Sequence, residues 1–398
     1  MTATADIVII GGCGHVGLPL GLAFARAGKK VVALDIDADK IAQVNAGRMP
    51  FHDRGADQVL SQVLADGTFC ASADDAVLSE ADVVITVIGT PVDEYLNPRL
   101  YLITDLIRDR IARLRAGQLF LLRSTVYPGT TERVDALFKQ KNLAIDVAFC
   151  PERVAEGQAL EEITSLPQMV AGCSERAQSR AEQLFRLITP DVIAMPPLAA
   201  ELTKLFNNAW RYAQFALANQ FYMIANDHGV DFYDVHRAMT ERYPRAQGFP
   251  RAGLAAGPCL FKDTVQLGAF HNNAFFMGQA AVMINEGLPN YMVQRVARRY
   301  DLARSVAGIL GMTFKADSDD PRDSLAFKLR KILQVECKEV LCTDPYLSDP
   351  AMLPLDEVLR RSDILFIGAP HSAYRKLDFG KTPVVDVWNM APGRLKTL

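Results

Sequence analysis

The sequence predicts an α/β protein in which two doubly wound parallel-sheet domains are joined by a long central helix and a further helical segment. Three observations lead there. Up to about residue 190, short and nearly continuous apolar runs alternate with helix-like stretches. Strands that are apolar throughout are buried on both faces, as in a parallel sheet covered by helices. A stretch from Ala199 to about His228 then runs without Gly or Pro, and the α/β rhythm returns after about residue 300. At 398 residues the chain also exceeds one ordinary domain of ~100–200 residues. The segments expected are therefore 1–190, 191–300 and 301–398.

In chain order, the first segment offers strands at 7–10, 30–34, 82–88, 119–122 and 146–149. Pro196-Pro197 breaks the pattern. Beyond it Leu202, Leu205, Phe206, Ala209, Tyr212 and Ala213 recur at helical spacing, and Phe215, Phe221, Met223 and Ile224 widen the apolar surface to more than one face. A helix of about thirty residues is about 45 Å long. One face should be covered from outside its own domain, by a second subunit or by a neighbouring domain. The last segment offers strands at 306–310, 339–343, 363–367 and 383–387. Two mononucleotide-type units suggest two nucleotide-shaped ligands.

Composition removes several function classes. With 43 Lys and Arg against 46 Asp and Glu, the net charge of −3 gives no general attraction to nucleic acid or anionic lipid. No apolar run approaches the ~20 residues of a membrane span. Met1–Asp6 lacks the basic and apolar regions of a signal peptide, which predicts a cytoplasmic protein. The seven cysteines are scattered singly without a CxxC pair, and the six histidines form no HxxxH group, so neither a disulfide scaffold nor a metal site is expected.

Five motifs carry chemistry. Gly12-Cys13-Gly14-His15-Val16-Gly17 follows the first strand and opens a helix, and Asp35 ends the second strand. Such glycines permit a tight turn and close approach to a pyrophosphate, and the acid binds a ribose diol while repelling a 2′-phosphate, which favours NAD over NADP. On the long helix, Glu201 to Asn208 places Lys204 and Asn208 one turn apart on one face, where they can hold a developing oxyanion. Gly257-Pro258-Cys259-Leu260-Phe261-Lys262-Asp263 brackets a cysteine with turn residues, a cation and an acid, a setting that favours thiolate. Polar loops follow three successive strands, with Thr90, Thr125, and the pair Glu152 and Glu156, at the sheet edge where ligands bind. Lys315 and Arg322, in the charged loop from Gly311 to Ser324, suit phosphate.

With these motifs in this order, the sequence resembles the UDP-glucose/GDP-mannose dehydrogenase family, the nucleotide-sugar 6-dehydrogenases, over essentially its whole length. The resemblance implies an N-terminal Rossmann-like NAD domain, a central helical dimerisation segment making a homodimer, a C-terminal Rossmann-like UDP domain, and a place in polysaccharide biosynthesis. It implies oxidation of a UDP-sugar 6-hydroxyl to the carboxylate with two NAD⁺ in succession, through a thiohemiacetal and a thioester on Cys259. Lys204 and Asn208 would stabilise oxygen charge, Asp263 and Thr125 would place and activate water, and Glu152 would be the general base. Asp35, Lys40, Thr90, Glu156, Lys262 and Arg322, with the three glycines, would contact NAD. Lys315 and Gly257, with Lys204 and Asn208, would contact the nucleotide sugar, and Arg245 would reach a neighbouring subunit's site.

Relatives usually carry glycines just before the cysteine, where this chain has Leu254-Ala255-Ala256-Gly257. The loop then takes another path, or the sugar is held differently. The stretches Gly89-Thr90-Pro91-Val92-Asp93-Glu94 and Cys150-Pro151-Glu152-Arg153-Val154 look more like the branch acting on UDP-GlcNAc or UDP-ManNAc than the UDP-glucose branch. Two other readings stand beside this one: a two-electron hydroxyacid-type dehydrogenase, and a non-catalytic protein that binds NAD and a nucleotide sugar.

Overall fold

Apolar runs become strands because a strand with no polar side can be covered on both faces. The protein is described by a computed structural model covering residues 5–93, 98–99, 101–255, 257–391 and 394–398. Eight strands, β1 (Ile7–Ile10), β2 (Val31–Leu34), β3 (Phe69–Ser72), β4 (Val83–Thr86), β5 (Leu119–Leu122), β6 (Asp146–Phe149), β7 (Gln168–Gly172) and β8 (Val192–Ala194), form one sheet in the order β3-β2-β1-β4-β5-β6-β7-β8. The first six are parallel, β7 is antiparallel to β6, and β8 runs parallel to β7. Helices α1 (Gly17–Arg26), α2 (Ala38–Asn45), α3 (Ala56–Ala65), α4 (Leu102–Arg110), α5 (Thr130–Gln140), α6 (Ala159–Ser165) and α7 (Glu175–Phe185) cover it. Side chains alternate across the sheet: Ile7 and Ile9 join an apolar cluster with Phe24 and Phe185, while Val8 and Ile10 join another with Ile103 and Phe138. Strand order reverses between β1 and β4, the switch point beside which open α/β sheets bind ligands.

Three of these strands escape the sequence pattern. β3 is an edge strand with alternating burial, β8 is a short edge strand, and β7 begins at a buried Gln168. The loops read as following the third, fourth and fifth strands therefore follow β4, β5 and β6.

By internal contacts the chain divides into two units, residues 1–206 and 207–398. The predicted long helix is α8 (Pro197–Asp227), of 31 residues, and it runs through that boundary. Pro197 takes its first position, where a missing N–H costs nothing. The second unit adds α9 (Phe232–Thr240), α10 (Leu260–Phe270), α11 (Phe276–Ala297), α12 (Leu325–Glu336) and α13 (Leu355–Arg361). Its sheet is β9 (Val306–Leu310), β10 (Glu339–Thr343), β11 (Ile364–Ile367) and β12 (Val384–Val385), all parallel, in the order β10-β9-β11-β12. Ala307, Ile309 and Phe366 pack with Leu288, Met292, Leu329 and Leu333 on one face, and Leu365 and Ile367 with Val358 and Tyr374 on the other. Among the described residues no helix is long and apolar enough to cross a membrane, and no group of three or more His, Cys, Asp or Glu could hold a metal ion.

Candidate active site

The turn after β1 is built so that two of its glycines serve the fold and one faces open space. A Cβ on Gly12 would lie 2.6 Å from Ala33 Cα, and one on Gly17 would lie 2.5 Å from the Gly11 carbonyl oxygen. A Cβ on Gly14 would meet only the Gly11 oxygen, at 3.5 Å. The backbone at Gly14 thus stays open for a pyrophosphate at the start of α1, which is what a bound dinucleotide requires. Asp35 sits one residue beyond β2, where its Oδ2 accepts the Cys13 N–H at 2.9 Å and its Oδ1 accepts the Ile36 N–H at 2.8 Å. Lys40 lies on the first turn of α2, its Nζ 3.4 Å from Asp37.

The ends of β4, β5 and β6 are tied together by side chains. Thr90 and Thr125 are both buried, and the Thr90 hydroxyl donates to the Thr125 carbonyl. Beyond β6, Glu152 Oε1 accepts from Lys204 Nζ at 2.9 Å and its Oε2 accepts the Val154 N–H at 2.9 Å. Burial would raise the Glu152 pKa, but the charge and hydrogen bond of Lys204, the Arg123 guanidinium and the Val154 N–H outweigh it. They hold the carboxyl below the usual range. Glu156 lies half-buried in the following turn, where Gly157 takes φ +81°. Glu201 caps α5: it accepts the Gly129 N–H at 2.6 Å and the Thr131 N–H at 2.9 Å. The loop after β5 is thereby fixed to the first turns of α8.

In the second unit, Asn208 donates from Nδ2 to Asp263 Oδ2 at 2.5 Å, and Lys262 Nζ lies 3.0 Å from Asp263 Oδ1. Asn208 and Asp263 are buried, and Lys262 is largely so. Cys259 stands exposed at the cap position of α10, and its carbonyl accepts the Asp263 N–H at 2.9 Å. Burial pushes the thiols of Cys13, Cys150 and Cys173 up to about 12, and those of Cys337 and Cys342 up to about 11, so all five stay protonated near neutral pH.

The loop before the cysteine follows a path that Leu254 can take. Leu254 is buried in the core of the second unit and is not among the described non-glycine residues with positive φ. The left-handed position falls on Gly257, with φ +102°, where a Cβ would lie 2.5 Å from the Phe314 ring. Asn219 of α8 brackets Gly253, donating to its carbonyl at 3.0 Å and accepting its N–H at 2.8 Å. Ala256 and Glu94, on which the sequence reading also drew, lie outside the described residues.

Lys315 lies in the loop after β9, its carbonyl accepting from the Thr313 hydroxyl at 3.0 Å. Arg322 donates from Nε to both oxygens of Asp320 at 2.9 Å and is half exposed. Arg245 occupies an exposed turn, its guanidinium 5.8 Å from the Tyr243 ring centre.

Three groups escaped the sequence reading. Arg123, wholly buried just beyond β5, donates to the Cys150 carbonyl at 3.0 Å and to Gln168 Oε1 at 2.8 Å. Burial drops its pKa to about 10, while the charge of Glu152 pulls the other way. Asn219 holds the loop before Cys259. Asp344, one residue beyond β10, accepts from the buried His371 at 3.0 Å. Only Asp344 left a signal, since it repeats the place of Asp35 after β2.

Comparison with known proteins agrees with this architecture. Residues 5–189 match the model of the UDP-glucose/GDP-mannose dehydrogenase family's NAD binding domain, residues 198–286 that of its central domain and residues 308–392 that of its UDP binding domain. The chain is 28% identical over 379 residues to a UDP-N-acetyl-D-mannosamine dehydrogenase of Pyrococcus horikoshii, covering 92% of this chain and 90% of that protein. It is 30% identical over 354 residues to a UDP-glucose 6-dehydrogenase of Haloferax volcanii, covering 84% and 82%. A solved structure of the UDP-D-ManNAc dehydrogenase from Pyrococcus horikoshii matches with a TM-score of 0.91 at 28% identity, covering 97% of this chain and 96% of that one. Three successive family models span nearly the whole chain. The chain belongs to the UDP-glucose/GDP-mannose dehydrogenase family, NAD-dependent oxidoreductases of nucleotide sugars.

Proposed function

We propose that this protein oxidises the 6-hydroxyl of a UDP-sugar to the carboxylate in two steps with Cys259 as covalent carrier, and that the sugar is UDP-ManNAc or UDP-GlcNAc rather than UDP-glucose. One observation carries the mechanism: the exposed Cys259 caps α10, and one turn on the buried Asp263 accepts a hydrogen bond from the buried Asn208 of α8. The N-terminal end of a helix favours negative charge on sulfur. NAD⁺ held in the first unit would supply the hydride acceptor for each oxidation.

In the first oxidation the 6-hydroxyl loses its proton to a base and C6 loses a hydride, leaving an aldehyde. Cys259 sulfur adds to that carbon, giving a thiohemiacetal whose oxygen charge Lys204 and Asn208 stabilise. The second oxidation removes the remaining C6 hydride and the hydroxyl proton, leaving a thioester. Water placed by Asp263 and Thr125 loses a proton to Glu152, attacks the thioester carbon and releases the Cys259 thiolate. Covalent capture keeps the aldehyde from escaping between the two oxidations. The depressed Glu152 carboxyl suits a group that must be ionised to accept a proton.

Gly12, Gly14, Gly17, Asp35, Lys40, Thr90, Thr125, Glu156, Lys262 and Arg322 hold the dinucleotide on this reading, and Arg245, Gly257 and Lys315 the UDP-sugar. The functional segments are 1–190, 191–300 and 301–398. The pairing of copies into a homodimer would use α8, whose Trp210, Leu217 and Ile224 are exposed at seven-residue spacing. A monomer in gel filtration at micromolar concentration would remove that part. The substrate lean rests on the UDP-N-acetylhexosamine-like stretches after β4 and β6 and on the Pyrococcus horikoshii relative; the Haloferax volcanii relative favours the glucose alternative.

The test is NADH yield per sugar on UDP-ManNAc, UDP-GlcNAc and UDP-glucose. Two NADH per sugar, with carboxylate formation lost in Cys259→Ala, is the expected result. One NADH per sugar with no dependence on Cys259 would replace the mechanism with a two-electron oxidation, and NAD⁺ and sugar binding with no turnover would indicate a non-catalytic binder.

A further inference from the structure

We infer that His371 is a positioning residue for the nucleotide: it fixes the backbone of the loop that presents Lys315, so that the second unit holds its phosphate-facing loop preformed. The inference rests on the reading that Lys315 contacts the nucleotide sugar.

His371 is fully buried just beyond β11, at the end of the sheet where the loops after β9 and β10 also lie. Its ring works in two directions. Nδ1 accepts the Asp317 N–H at 2.9 Å, so this nitrogen carries no proton. The proton then resides on Nε2, which lies 3.0 Å from Asp344 Oδ2 and 3.2 Å from the Thr313 hydroxyl. That hydroxyl spends its own proton on the Lys315 carbonyl at 3.0 Å. The imidazole thus reaches the backbone on both sides of Lys315, through Thr313 before it and Asp317 after it.

The loop needs such a brace. Asp317 takes φ +51°, a left-handed conformation that costs a side-chain-bearing residue of order 1 kcal/mol. It is held there by the hydrogen bond to His371 and by its own carboxylate. Its Oδ1 accepts the Ser372 N–H at 2.8 Å, the Ser372 hydroxyl at 3.0 Å and the Tyr346 hydroxyl at 3.2 Å. Asp344, in turn, accepts the Met312 N–H at 2.6 Å and the Tyr346 N–H at 2.8 Å, tying the start of the same loop to β10. An apolar residue at 371 could fill the same volume in the core but could not accept an N–H from the loop. A polar ring buried here is therefore explained by the loop rather than by the packing. Preforming a binding loop lowers the ordering cost of binding, so loss of the brace should weaken the ligand more than it weakens the protein.

The experiment is calorimetric binding of UDP and, separately, of NAD⁺ to the full chain, comparing the parent protein with His371→Leu, His371→Asn and Asp317→Ala. Leu fills the ring's volume without an acceptor, whereas the Asn Oδ1 can stand where Nδ1 stands and accept the Asp317 N–H. UDP should bind roughly tenfold more weakly to His371→Leu and to Asp317→Ala, with at least part of the affinity restored in His371→Asn and NAD⁺ affinity unchanged throughout. Asp317→Ala lies on the surface and keeps the test open if His371→Leu does not fold. Unchanged UDP affinity in the folded variants would overturn the inference. So would equal weakening of UDP and NAD⁺, which marks general destabilisation, or an Asn variant as weak as Leu. If the parent protein bound no UDP, the reading of the second unit as a nucleotide site would fail first and the inference with it.

Discussion

The loops that leave the first strand of each sheet begin alike and end differently. Gly11 after β1 and Gly311 after β9 both take positive φ, at 81° and 89°. Each donates its N–H to the last carbonyl of the adjacent strand, Leu34 at 2.8 Å and Thr343 at 2.9 Å. Each of those strands is followed by an aspartate whose Oδ2 accepts an N–H from the loop, Cys13 to Asp35 at 2.9 Å and Met312 to Asp344 at 2.6 Å. There the likeness stops. The first loop reaches its helix at Gly17, bare of side chains at Gly12 and Gly14, and its aspartate is only half-buried. The second runs on to α12 at Leu325, carries Lys315 and Arg322, and has its aspartate buried against His371. On the proposed reading, one backbone device would support two kinds of anion site. A short bare loop offers N–H groups at a helix terminus, while a long loop offers cationic side chains and must be braced to place them.

The largest effect should come from filling the bare loop. Gly14→Val puts a branched side chain into space where its Cβ would meet only the Gly11 oxygen at 3.5 Å, so the fold tolerates it and a pyrophosphate does not. NAD⁺ affinity should fall about 100-fold, roughly 3 kcal/mol, with UDP affinity unchanged in the same calorimetric assay. Equal loss of both ligands would break the comparison, because it would make the two loops one site of binding energy.

Next comes Asp344→Asn, which keeps the shape of the second loop's anchor and removes its charge. Burial would raise the Asp344 pKa, but the His371 hydrogen bond and the Met312 and Tyr346 N–H groups outweigh it and depress the carboxyl. A depressed carboxyl contributes stability that is fully present above its unfolded pKa of ~3.9 and is lost as pH falls through the folded value. The variant should be about 2 kcal/mol less stable at neutral pH, and the gap should close below about pH 4. Both tryptophans, Trp210 and Trp388, lie in the second unit, so their fluorescence during urea unfolding follows it. A gap that widened toward acid pH would mean that Asp344 is not held as an anion.

How much of this was legible depends on how far apart the partners lie in sequence. β1, β2, β4, β5 and β6 could be read because both of their faces are covered, whereas the edge strands β3 and β8 lack that continuous apolar signal. Within the site, the glycine turn and Asp35 follow from local spacing, and so does the one-turn separation of Lys204 and Asn208. The pairing of Lys204 with Glu152, 52 residues away, and of Asn208 with Asp263, 55 away, depends on the tertiary fold. Arg123 reads in sequence as a charge ending a strand, which usually marks the surface; only packing against Phe185, 5.2 Å away, reveals it as buried. His371 carries no periodicity or spacing that would separate it from a surface turn histidine.

The smallest stability effect, and the sharpest distinction between the two sheets, should come from Arg123→Met. Glu152 and Asp344 are both strand-end carboxylates depressed by a basic neighbour, but Asp344 is braced by a hydrogen-bonded imidazole, while Arg123 acts on Glu152 by charge alongside the direct Lys204 contact. Arg123 also donates to the Cys150 carbonyl and to Gln168, whose Nε2 donates to the Pro151 carbonyl at 3.0 Å, next to Glu152. Met keeps most of the volume and removes the donors, at a cost of about 1 kcal/mol. Removal of a buried charge offsets part of that cost. The catalytic readout separates charge from packing. Without the guanidinium the Glu152 pKa rises, so the acidic limb of the kcat–pH profile should move to higher pH while the rate above it is retained. Arg123→Lys, which keeps the charge, should leave the limb in place. If the limb does not move in Arg123→Met, Lys204 alone keeps Glu152 ionised, and the buried arginine serves only to join β5, β6 and β7.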